Sequence, residues 1–245
     1  MSRLEAVPEI IEAAGRSVVY SLLATGWALP TSVRLATIEA RLLPAVTALD
    51  LPPSLTEKVR ALPACVPADV EAMRDDHMAL FPPIASQDAP GYETGYRGHD
   101  VFQQAALLAD VAGFYRAHGL RAGGSEKERL DHITVELEFM AILGRKEVLA
   151  LQGGQFDNAR VCQETGALFL RDHLGCWAPS FGRRASAITA SPWYRSLGTL
   201  MALWVEEDVA AAGVEPAEMV EEPLPQPPPD DGACGPCPVP VAGSS

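Results

Sequence analysis

At 245 residues with 48% apolar side chains, the chain is long enough to bury one large core or two small ones, which excludes a disordered polypeptide. A net charge of −13 at a pI near 4.8 argues against a nucleic-acid partner, whose phosphates would be repelled. Five cysteines, an odd number with Cys65, Cys162 and Cys176 scattered through helical sequence, do not resemble a disulfide framework and fit a reducing compartment.

The N-terminus, Met1-Ser2-Arg3-Leu4-Glu5-Ala6, has no basic start running into an apolar stretch, so no secretory signal is expected and a cytoplasmic location is. The apolar runs at 18–29 and 197–205 are broken by Ser, Thr or Gly and fall short of the ~20 residues a spanning helix needs, so no membrane insertion is expected. Helix-start signals recur at Pro30-Thr31-Ser32, Pro53-Ser54, Pro67-Ala68-Asp69, Gly124-Ser125 and Ser191-Pro192. Apolar residues follow them at helical spacing, as with Val33, Ile38, Leu42 and Leu43, or Leu197, Leu200, Met201 and Trp204. The pattern predicts an all-α fold: a single bundle-like domain of about nine helices over residues 1–212. Two loops interrupt it, a long Pro- and Gly-rich one over 81–98 and a short one over 119–124, and the first has the length at which loops carry function.

The stretch from Asp131 to Met140 sets an acid and a histidine at the mouth of an otherwise apolar helix. Ile133, Val135, Leu137 and Phe139 alternate like a strand, but the glutamates between them and the continuation into Ile142 and Leu143 favour a helix. Its apolar groups occupy most of the circumference, so it should be central and buried. His132 and Glu136 share one side, whereas Asp131, in the expected first turn, shares another with Thr134 and Glu138.

After Arg195 there is no Lys or Arg, and nine acidic residues run from Glu206 to Asp231. From 213 onward prolines crowd the chain, so residues 213–245 are expected to form a disordered, flexible acidic tail. The tail holds Cys234-Gly235-Pro236-Cys237 without the βαβ setting in which such a pair is a redox centre. Two thiols there supply at most half of a closed metal site.

Other chemistries find little footing. No histidine among His77, His99, His118, His132 and His173 has a Glu three residues before it, which argues against a carboxylate-bridged di-metal centre. Cys162, Cys176 and Ser180 lack a nucleophile signature, and Gly123-Gly124 and Gly153-Gly154 are isolated pairs without phosphate-cradling form. No cofactor is expected.

Three segments carry a resemblance to a known family. Leu80-Phe81-Pro82-Pro83 followed by Ala89-Pro90-Gly91-Tyr92-Glu93-Thr94-Gly95-Tyr96 is one. Leu130-Asp131-His132-Ile133 with Glu136-Leu137-Glu138-Phe139-Met140 is the second, and Phe169-Leu170, His173-Leu174 and Trp177-Ala178-Pro179 form the third. Together they resemble the motifs of the TorD/DmsD/NarJ family of redox-enzyme maturation chaperones, with Leu130 in place of the usual proline and Thr94 in place of a serine. The resemblance implies a non-catalytic, all-helical chaperone with two sub-parts, monomer or homodimer, that binds the apo catalytic subunit of a molybdenum-cofactor enzyme of the DMSO reductase family, in many members through its twin-arginine leader. The tail points to a branch serving iron–sulfur molybdoenzymes of the dimethylsulfide, ethylbenzene or chlorate type.

An arginine pair followed by an apolar segment asks for acidic groups beside a hydrophobic groove. Asp131 is expected to pair with the leader and His132 to orient it, while Phe81, Pro90, Tyr92 and Tyr96 line the apolar contact. Two alternatives stay open: a helical metal-binding or metal-delivery protein using His132, Glu136, Cys234 and Cys237, and a helical adaptor for a mature partner.

Overall fold

The computed structural model describes residues 7–82, 88–121 and 128–225; Pro83, the Gly124-Ser125 signal and the Cys234/Cys237 pair lie outside them. The elements are α1 (Val7–Trp27), α2 (Ser32–Thr37), α3 (Leu43–Thr47), α4 (Pro53–Ala61), α5 (Val70–Leu80), α6 (Thr94–Arg97), α7 (Val101–Ala117), α8 (Ile133–Gln152), α9 (Phe156–Phe169), α10 (Gly175–Ile188) and α11 (Pro192–Ala212). A π-helical turn at Ile38–Leu42 runs α2 into α3, and another at Leu170–Leu174 runs α9 into α10, so the described residues form nine continuous helices. No strand occurs among them; a lone antiparallel bridge joins Tyr92 to His132.

Local chemistry sets the starts. Thr31 accepts from the Arg34 amide at 3.2 Å, Asp69 from that of Ala72 at 2.9 Å, and Asp100 from those of Phe102 and Gln103, each satisfying a donor that the first helical turn leaves open. Pro53 and Pro192 open α4 and α11, where a missing N–H costs nothing. The start of α8 is Ile133, later than the Gly124-Ser125 signal suggested.

The predicted central helix is α8, which packs most extensively on α1 and next on α9, while α10 packs on α11. One core joins both groups, with Trp27, Trp177, Trp193, Tyr20, Tyr194, Phe139, Phe169 and Phe181 fully buried. At the α1–α8 crossing a Cβ on Gly144 would meet the Ser17 Cβ at 2.9 Å, so glycine permits that approach. Cys65, Cys162 and Cys176 are free thiols, two of them buried.

The expectation of a flexible tail from residue 213 is corrected for its first part. Gly213, at φ 65° in the left-handed region, ends α11 and turns the chain back. Residues 214–225 then run as a strap: the amides of Ala217, Val220 and Leu224 donate to the carbonyls of Arg171, Cys176 and Gly95 at 2.7, 3.1 and 2.8 Å. Glu218 pairs with Arg97, and Val214 and Val220 pack on the core, an apolar anchorage that the prolines and acids around them mask in the sequence. No helix among the described residues is long and apolar enough to cross a membrane.

Candidate functional site

The loop 88–98 and the entrance to α8 are laced together. The Glu93 amide donates to the Asp131 carbonyl at 3.0 Å and the Ile133 amide to the Gly91 carbonyl at 2.9 Å, on either side of the Tyr92–His132 bridge. Gly91 gives this approach its room, because a Cβ would lie 3.0 Å from the Phe81 ring and 3.1 Å from His132 Nε2 and would press both rings back by a few tenths of an ångström.

Asp131 sits before α8 rather than in its first turn, and it is fully buried. Its Oδ2 accepts from the Thr94 amide at 3.2 Å and the Thr94 hydroxyl at 2.8 Å, which gives the backbone of α6 its anchor. Arg129 closes over it, Nε donating to Oδ1 at 3.1 Å and Nη2 to Oδ2 at 3.0 Å, with its guanidinium 4.8 Å from the centre of the Tyr92 ring. The acid expected to present itself to a client is therefore already paired within the chain.

His132 is the N-cap of α8. Its Nδ1 accepts from the Thr134 amide at 3.3 Å and lies 2.7 Å from the Thr134 hydroxyl, so the neutral ring carries its proton on Nε2, beside Gly91 and Phe81. Burial pulls its pKa from 6.5 down to about 4, helped by nearby His77 and Arg129 and opposed by Asp131. The unfolded ring takes a proton from pH 6.5 downward and the folded ring only near 4, so this group costs the native state about 3 kcal/mol across that window as pH falls. His132→Asn, which still caps the helix, should lose less stability than the parent over the same interval. Denaturant titrations of both proteins along a pH series check it, and parallel losses would count against a buried neutral His132.

Beside this junction lies a cavity of about 680 Å³ between α1, the ends of α2 and α5, the loop and α8. Phe81, Pro90, Tyr92 and His132, four of the six residues singled out from sequence, line it together. Their rings form a chain with Trp27 and His77: Phe81 lies 6.1 Å from Trp27, 4.9 Å from His77 and 6.1 Å from His132, and Tyr92 lies 5.0 Å from His132. Exposed Glu128 and Glu138 reach its wall, as do Leu29 and Arg145. Asp131 and Tyr96 are not brought into it. Tyr96 is buried against Trp177, ring centres 5.3 Å apart, behind the loop it was expected to decorate.

The sequence reading missed Trp27, His77, Glu128 and the small face of α1 at Ala24, Thr25 and Ala28. Only the apolar run at 18–29 hinted at α1, and periodicity does not say which face of a run lines an opening.

Glu136 and His173 belong to a buried layer behind the cavity. Glu136 Oε2 accepts from the Trp177 indole at 3.1 Å while Oε1 has no partner, and burial together with neighbouring Glu93 raises its pKa well above 4.5. Glu93, itself buried, pairs with Arg97 and lies 3.0 Å from His173 Nδ1. Glu136 thus faces Trp177 while His132 faces Thr134 and the cavity, so the two do not converge on a metal position. Among the described residues no three His, Cys, Asp or Glu side chains do. Glu128 and Glu138 share the wall with Arg34 and Arg145, so the aromatic interior suits an apolar segment and the two carboxylates offer partners for positive charge on it.

A family model described as the nitrate reductase delta subunit matches residues 49–183. The perchlorate reductase assembly chaperone protein of Dechloromonas aromatica (strain RCB) is 30% identical over 82% of this chain and 92% of its own. The chlorate reductase assembly chaperone protein of Ideonella dechloratans is 30% identical over 51% of this chain and 60% of its own length. The selenate reductase assembly chaperone protein of Thauera selenatis is 26% identical over 68% of this chain and 82% of its own.

Proposed function

Because the chain belongs to the nitrate reductase delta subunit family, with motifs of the TorD/DmsD/NarJ type, we propose that it is an assembly chaperone for a reductase catalytic subunit. Its client is the apo form of a molybdenum-cofactor enzyme of the DMSO reductase family, held in the cytoplasm through a twin-arginine leader until cofactor is inserted. Support comes from relatives that are named assembly chaperones of chlorate, perchlorate and selenate reductases. The observation that carries the reading is the cavity walled by Trp27, His77, Phe81, Tyr92 and His132, with Glu128 and Glu138 at its exposed edge.

The apolar run of the leader fits the ring-lined interior, where removal from water gives roughly 25 cal/mol per Å² of apolar surface. Its arginines fit Glu128 and Glu138 at the exposed edge. The role is binding, with no reaction assigned to the chain.

Calorimetric titration with a synthetic peptide carrying an arginine pair ahead of an apolar run tests the reading. One peptide should bind per chain with an affinity of about micromolar, and replacing its apolar run with serines should abolish the heat. A peptide that binds equally well with serines, or that does not bind, would sink the leader-binding reading.

A further inference from the structure

A carboxylate buried as completely as Asp131 needs a partner of high geometric quality, and its two oxygens, the Thr94 hydroxyl and the Tyr92 ring describe what that partner is. Both carboxylate oxygens face one fork of N–H groups, the Thr94 hydroxyl accepts from Nη2 at 2.8 Å, and the Tyr92 ring offers its face at 4.8 Å. A planar guanidinium satisfies all of them at once; an ammonium, a point charge without a fork or a flat face, does not. The present occupant is the chain's own Arg129, whose side chain is 48% exposed over an acceptor at 0%. Departure of Arg129 into water would open the site at the rim of the cavity, since Tyr92 and the neighbouring Glu128 both line that cavity.

We propose that Asp131, Thr94 and Tyr92 form a guanidinium-binding site that Arg129 holds in the free protein and yields to an arginine side chain of the client. The proposal rests on the reading that an arginine-bearing client segment enters the cavity. In the exchange one fork replaces another, so Asp131 is not left buried without a partner. Arg129, two residues from Asp131, competes at high effective concentration, and a lone arginine side chain does not displace it. An arginine followed by an apolar run does, because the run fills the adjacent cavity. Arg129 thereby makes stable capture conditional on both features, while the acceptors and the ring face of the site itself set the preference for arginine over lysine.

The test compares the wild type with Arg129→Ala and Arg129→Lys. Calorimetry uses two synthetic peptides, one with an arginine pair ahead of an apolar run and one with lysines at the pair. With the competitor gone, Arg129→Ala should bind the arginine peptide about tenfold more tightly than the wild type, and the lysine peptide with little change. Arg129→Lys, which keeps the charge and loses the fork, should lie between them and serves if the alanine variant does not fold. In thermal melts, N-acetyl-arginine amide should raise the midpoint of the variants and not that of the wild type, and N-acetyl-lysine amide should raise neither. Equal or weaker binding of the arginine peptide by the variants overturns the proposal. If no protein binds either peptide, the leader-binding reading fails and the melts decide alone: absence of arginine-specific stabilisation overturns the guanidinium site, and its presence retains it.

Discussion

Gly198→Val should leave the chain largely unfolded under conditions where the parent is stable. At this position on α11 a Cβ would lie 2.5 Å from the Gly182 carbonyl of α10 and 2.5 Å from Ser186 Oγ. The contact is reciprocal, since a Cβ on Gly182 would lie 2.6 Å from the Gly198 carbonyl. The obstacle is backbone, not the end of a flexible side chain, so the added atoms are accommodated only by driving the two helices apart. Their separation would loosen Trp193, Leu197 and Met201 of α11 and Phe181 and Ala185 of α10, all fully buried. Overpacking costs about 1–3 kcal/mol where side chains can shift, and more is expected here, against a total stability of about 5–15 kcal/mol. Gly113→Ala in α7 is the control: nothing lies within 4 Å of its Cβ, and alanine should stabilise that helix by up to about 1 kcal/mol. Circular dichroism melts of the two variants separate the effects, and a Gly198→Val protein that melts like its parent would contradict the close crossing.

The second large effect concerns binding. Thr25→Trp adds an indole to the face of α1 that lines the cavity, at a half-buried position. The ring would occupy the space beside Trp27, Phe81 and His132, and the affinity for the arginine and apolar peptide should fall about a hundredfold, roughly 2.7 kcal/mol. Stability should change by less than about 1 kcal/mol, because the substitution fills an open cavity instead of a packed core. Titration and a denaturation curve on the same sample are both needed. Full retention of binding by a folded Thr25→Trp protein would place the client elsewhere.

Much of the fold was legible because it is written locally. Thr31, Asp69 and Ser191 stand immediately before the helices they announce, and the apolar circumference of α8 matches its position between α1 and α9. Half-legible features depended on partners distant in sequence. A carboxylate at the edge of a helical pattern reads as a first-turn residue, yet Asp131 is drawn outside the helix by Thr94, 37 positions away. His132 takes the capping role through its ring, a donor–acceptor arrangement that spacing does not reveal. Tyr96 carries the look of a groove residue and instead faces Trp177, because the short helix α6 turns it inward.

In sequence Glu136 stands as a candidate metal ligand, and His173 and Trp177 only as residues of a family motif. In the fold they and Glu93 make a buried polar layer that fixes the loop, α8 and the α9–α10 junction together. Trp27 and His77 were invisible for the complementary reason: nothing local distinguishes an aromatic that lines a cavity from one that fills a core. The strap at 214–225 was masked by composition, since two valines among acids and prolines suffice to seat it.

The most direct test of the account is amide hydrogen exchange on the full chain, with and without the peptide that bears an arginine pair and an apolar run. Protection should appear at 24–29, 77–82, 89–92 and 128–138, the segments that wall the cavity, and should be absent from Thr25→Trp at the same peptide concentration. Protection confined to α7 and the strap, or a bound peptide that leaves those four segments unchanged, would contradict the assignment of the cavity as the client site.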